Sequence, residues 1–151
     1  MAETLGSLID KLIIKKIRLI NLQRMKSAAP ARKSIRIVEE HIGQLSAEID
    51  SFLNLAVRGR VALREQKVKL YRNPPSPLQL NRLKRIGPLV EILSRINADQ
   101  WVLEDKIREP GIPYKSVAEL KRKIDLSNKN RNDAIDRIDE LLEHKIQRCR
   151  K

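Results

Sequence analysis

Cysteine, aromatic residues and glycine are all scarce in this chain. Its one cysteine, Cys149, has no partner for an internal disulfide, and two histidines, His41 and His144, are too few for a structural zinc site. One Phe, one Trp, two Tyr and five Gly among 151 residues argue against sheet, since strands are enriched in aromatic and β-branched residues. No apolar run approaches the ~20 residues needed to span a bilayer. Glu3 and Asp10 fall where a secretory leader would carry a basic start and an apolar middle. These absences predict an all-α, cytoplasmic protein with no membrane segment, no metal and no cofactor.

Acid is the next thing missing, and it is missing locally. The chain has 32 Lys and Arg against 19 Asp and Glu, a formal charge of +13. Residues 11–38 hold nine basic residues and no acid, and residues 51–90 hold nine against Glu65 alone. An excess of this size points to a polyanionic partner or to a solvated surface, and its distribution decides between them.

What is abundant is Leu and Ile at helical spacing. Residues 3–28 place Leu5, Leu8, Ile9, Leu12, Ile13, Ile17, Leu19, Ile20 and Leu22 over about half a helix circumference, enough to touch two neighbours. Thr4 is the expected N-cap, and Ala28-Ala29-Pro30 the expected stop. A second helix from about Ala31 carries Ile35, Val38, Ile42, Leu45, Ile49, Phe52 and Leu53, with Gly59 as candidate C-terminal cap. Beyond Arg60 the pattern is ambiguous: Val61 and Val68 extend the stripe, whereas KVKLY at 67–71 alternates like a strand, up to the NPPSP breaker at 73–77.

A third helical stretch runs from Leu78 to about Glu109, with Gly87-Pro88 as a kink or a new start, and stops at PGIP, 110–113. The fourth is expected to begin at Ser116, with Glu119 completing a capping box, and to run through Val117, Leu120, Ile124, Ala134, Ile138, Leu141 and Leu142. This reads as a single domain over 1–151, an antiparallel up-down four-helix bundle built from a hairpin at 3–60, a basic connection at 61–77 and a hairpin at 78–149. LGSLIDKL at 5–12 aligns with IGPLVEIL at 86–93, so the second hairpin could duplicate the first.

In that layout the connection and the last residues share one pole. Arg58, Arg60, Arg64, Lys67, Lys69, Arg82, Lys84 and Arg85 make it the candidate surface for nucleic acid or another polyanion, although Tyr71 is its only aromatic residue. At the other end, RINADQWVLEDKIRE at 95–109 places polar residues within an apolar stripe. The last helix loses its own stripe over Ser127, Asn128, Asn130, Arg131 and Asn132. Counting back from the turn near Pro113 sets Asn97 against Asn128, Asp99 against Ser127 and Glu104 against Arg122, with Asn21 and His41 within reach. The residues proposed for this polar layer are Asn97, Asp99, Gln100, Trp101, Glu104, Asn128, Arg131 and Asn132. Buried polar groups must be satisfied, so the layer is a structural network, a small-molecule pocket or an interface. Trp101 is expected to be the packing anchor beside it.

No pattern here calls for catalysis. EEH at 39–41 and LLEH at 141–144 lack the Glu-x-x-His spacing of di-iron bundles, no glycine-rich phosphate loop is present, and Cys149 has no evident base.

LGSLIDKLIIKKIRL at 5–19, QWVLEDKIR at 100–108 and KRKIDLSNKNRNDAIDRIDELL at 121–142 together resemble a family of small, all-helical bacterial proteins of unknown function. The resemblance implies a helical fold and a shared feature at Trp101, Glu104, Asp105, Asn128, Arg131, Asn132 and Asp133. Val102 stands where many such proteins carry His, so a His-dependent site does not transfer. The leading expectation is a module for association with a protein partner or with itself; polyanion binding at the basic pole and small-molecule binding at the polar layer are its alternatives.

Overall fold

The computed structural model describes residues 3–25, 29–65 and 77–150, all helical apart from the connecting segments. Among the described residues four helices follow one another: α1 (Leu5–Arg24), α2 (Ala29–Val57), α3 (Ile86–Ile107) and α4 (Tyr114–Cys149), with one turn of 3-10 helix at Leu80–Arg82 before α3. α1 packs on α2, and α3 on α4; α1 also touches α3 and α4, which joins the two hairpins into a four-helix bundle. KVKLY and most of the NPPSP breaker lie outside the described residues, as do Lys67, Lys69 and Tyr71.

The helix ends follow local chemistry in some places and not in others. Thr4 is extended, and its hydroxyl accepts from the Ser7 amide at 3.3 Å, as an N-cap should. Gly59, at φ +70°, closes α2: its amide donates to the Ala56 carbonyl (3.0 Å), and the Arg60 amide to that of Leu55 (2.9 Å). That pair of bonds needs a left-handed residue, which glycine adopts without strain.

Two boundaries differ from expectation. α2 starts at Ala29, so Pro30 is its second residue, where a missing N–H leaves no intrahelical bond unmade. α4 starts at Tyr114, and the Val117 amide bonds to the Pro113 carbonyl at 3.1 Å. Ser116 therefore lies inside the first turn and no capping box forms; backbone continuity from the extended Pro113 outweighs the side-chain signal. At Gly87-Pro88 a new helix begins, with Pro88 as its third residue.

The expected duplication has a counterpart in helix starts, since α1 begins at Leu5 and α3 at the aligned Ile86. Packing then diverges: Asp10 is buried and its aligned Glu91 is exposed.

The main hydrophobic cluster occupies one end of this bundle, and two further buried apolar residues, Val38 and Ile42 of α2, lie outside it. The cluster's buried members and the residues packed on them come only from residues 5–13, 45–63, 80–93 and 134–146. Leu89, Leu93 and Ile138 are sealed at its centre. The N-terminal 20 residues of α4, 114–133, contain none that is buried, although the helix is continuous.

Candidate functional site

The boundary of the core is a charged clasp. Asp10, projecting from α1, is 3% exposed, and Arg131 of α4 meets both of its carboxylate oxygens: Nε lies at 2.9 and 3.1 Å and Nη2 at 2.6 Å. Asn97 of α3 donates its side-chain amide to the same carboxylate at 2.8 Å and to the Leu93 carbonyl at 3.1 Å. Three helices thus converge on one anion. The two-pronged geometry suits a guanidinium and not an ammonium group, because its parallel N–H donors match the two carboxylate oxygens. The contact with Asp10 raises the already high pKa of Arg131, and Glu104 adds to the same field.

One turn further along α3, Gln100 takes two partners from α4. Its amide nitrogen donates to Asn128 at 2.8 Å, and its oxygen accepts from the Ser127 hydroxyl at 3.3 Å. The level predicted for Asn97, Asn128 and Ser127 exists, but its pairings differ. Gln100, not Asn97, meets Asn128, and Gln100, not Asp99, meets Ser127; Asp99 and Asn132 are exposed. Glu104 lies near Gln100 (3.5 Å) and pairs with Arg108 at 3.2 Å along its own helix, not with Arg122. Trp101 is half-buried and stands outside the core cluster.

Asn21 and His41 do not reach this level. Asn21 bonds to the Ile17 carbonyl in its own helix, and the His41 ring lies 3.4 Å from Lys15, in an α1–α2 groove of about 420 Å³. No buried side-chain nitrogen or oxygen among the described residues lacks a partner, so the layer satisfies itself.

Beneath the clasp are two anchors that the sequence reading missed. Asp139, buried in α4, accepts from the Gly6 amide at 2.7 Å. The helices approach so closely there that a Cβ on Gly6 would stand 2.5 Å from the Ile135 carbonyl oxygen. Arg137, also buried, donates to the Leu83 carbonyl (2.8 and 3.2 Å) and the Asn81 carbonyl (3.0 Å), fastening the 3-10 turn to α4, and it pairs with Glu140. That hydrogen bond holds the Glu140 carboxyl below its ordinary pKa against a smaller desolvation effect, with Arg64 and His144 adding to the lowering.

The basic pole also takes shape in space. Arg58, Arg60, Arg64, Arg82, Lys84 and Arg85 are exposed, with Arg64 3.7 Å from Glu143. Arg150 donates to the Ala56 and Val57 carbonyls at 3.3 Å, so it caps the C-terminal end of α2, where the helix dipole favours a cation. Between the segment around Lys84 and the last turns of α4 runs a groove of about 900 Å³. Among the described residues no helix is long and apolar enough to cross a membrane.

No curated protein and no solved structure matches this chain. Residues 88–151, which contain Asn97, Gln100, Asn128, Arg131 and the α4 side of the groove, match the sequence model of a family described as protein of unknown function (DUF4254).

Proposed function

We propose that the chain is a protein-association module that pairs with a second copy of itself through the half of the bundle above the Asp10–Arg131 clasp. The observation that carries this reading is the early end of the core: its cluster stops at the clasp, while all four helices continue past it. Apolar residues are present in that half, but beyond Val38 and Ile42 of α2 few of them are enclosed. Ile20, Met25, Ile37, Val102, Tyr114 and Leu126 are six of the nine large hydrophobic residues that the described surface exposes.

A helix face that stays half-wet over five turns gains stability when a partner covers it, at about 25 cal/mol per Å² of apolar surface. Twenty residues of a helical hairpin present a face ~30 Å long and ~20 Å wide, on the order of 600 Å². This is close to the ~800 Å² per partner of an ordinary stable interface. Each copy carries the same face, which a two-fold axis can pair with itself.

Light scattering coupled to size exclusion tests it. The parent chain is expected to be a dimer at high micromolar concentration, and Ile20→Lys with Leu126→Lys a folded monomer. Both residues are about half exposed in a single copy, so the fold tolerates the change. A parent chain that stays monomeric at the highest attainable concentration would sink the proposal.

A further inference from the structure

A second surface, at the opposite end, carries a separate reading. The groove of about 900 Å³ is lined by Lys84, Arg137, Lys145, Arg148 and Arg150, with His144 at its side and Glu140 as the carboxylate of its lining. Two of those cations are engaged within the fold: Arg137 with Glu140 and the carbonyls before α3, and Arg150 with the end of α2. Lys84, Lys145 and Arg148 are exposed and make no ion pair with the described residues. The engaged arginines thus neutralise Glu140 and the α2 carbonyls, which would otherwise repel an anion, while the other three cations project from the same concavity.

We propose that this groove binds the phosphodiester backbone of nucleic acid without reading its sequence. Lys145 and Arg148 are three residues apart on α4, which places them ~5–6 Å apart on one face, near the step between successive phosphates. Lys84 faces them from the other wall. The exposed Arg82 and Arg85 extend the positive surface beyond the groove, suiting a repeating polyanion better than one small phosphorylated molecule. Among the described residues its lining holds no Phe, Trp or Tyr, so its affinity rests on charge. The concavity favours a strand over a flat lipid surface, and Leu141, the apolar residue of the lining, is buried and cannot insert into a bilayer.

Fluorescence anisotropy with labelled oligothymidylate and with a random-sequence duplex, over a salt series, tests this. The parent chain should bind both, with log affinity falling linearly with log salt. Replacing Lys84, Lys145 and Arg148 together by Gln should weaken binding roughly tenfold and flatten the oligothymidylate slope by about 2, the value for three lost contacts to a single strand. Replacing Lys16, Arg32 and Lys33 together by Gln removes the same charge from exposed positions elsewhere, and should leave most of the affinity. Equal losses in the two triple variants would mean that only net charge matters and would overturn the proposal. So would the absence of binding at low salt, or binding to anionic phosphatidylserine vesicles but to neither oligonucleotide.

Discussion

Glycine is ordinarily a weak residue in a helix, and alanine replaces it with a gain of up to ~1 kcal/mol. Gly6 should reverse that sign. An added Cβ would lie 2.5 Å from the Ile135 carbonyl oxygen and 3.1 Å from the Asp139 carboxylate. The first obstacle is backbone in the middle of α4 and cannot rotate away, so the start of α1 must retreat by several tenths of an ångström. Overpacking of this kind costs about 1–3 kcal/mol. The retreat also stretches the buried 2.7 Å bond from the Gly6 amide to Asp139, a charge-assisted contact of about 1.5–3 kcal/mol when lost outright. Set against the small helical gain, Gly6→Ala should destabilise by about 2 kcal/mol. Gly43, exposed inside α2 with nothing within 4 Å of its Cβ position, supplies the opposite case. Gly43→Ala should stabilise by about 0.5–1 kcal/mol. Urea unfolding followed by far-ultraviolet circular dichroism, at one fixed protein concentration, measures both differences if the slopes match the parent's. A Gly6→Ala variant as stable as the parent would refute the close approach of α1 to α4.

The clasp should be asymmetric: Arg131→Leu leaves the Asp10 carboxylate buried with only Asn97 beside it and should cost about 3–4 kcal/mol, whereas Asp10→Leu leaves a guanidinium that is 27% exposed and can reach water, costing about 2 kcal/mol. Denaturation midpoints of the two variants check the order, and the reverse order would contradict the burial of Asp10. Because Glu140 has a lowered pKa in the fold, its pairing with Arg137 contributes stability above the ordinary carboxylate pKa of about 4.3 and loses it as pH falls through the lower folded value. Thermal melts from neutral pH down to pH ~3 should therefore show a shallower acid decline in Glu140→Gln than in the parent, and parallel declines would count against the pairing.

Much of the secondary structure was legible because its signals are local. The Thr4 cap, the left-handed Gly59 and the apolar stripes each depend on residues within a few positions, and the structure shows them as elements. The Ser116 capping box was equally local and misled, because the bond between Val117 and Pro113 lets α4 start three residues earlier, with Pro113 at the cap position. Counting back from a turn set the polar layer of α3 against that of α4 to within about one turn. Its partners were not found: Asn128 meets Gln100 and not Asn97, a slip of three residues or ~4.5 Å in register, and Ser127 meets Gln100 and not its neighbour Asp99, which projects ~100° away around the helix.

Asp10 was read as a charge unsuited to a leader segment and as the counterpart of Glu91, not as a buried partner of Arg131. One signal was available: at 100° per residue it projects within ~20° of Ile17, at the edge of the apolar arc of α1. An acid there must find a cation across the bundle. Arg131, one of 32 basic residues, could not be singled out from the chain alone.

The sequence by itself determined that the chain is helical, how many helices it forms and where most of them end, because hydrogen bonds within each helix and its caps involve near neighbours. Only the tertiary structure decided which of many charges are enclosed and where the core stops. Those outcomes depend on the rotation and register of helices far apart in the chain, and Asp10 meets Arg131 across 121 positions.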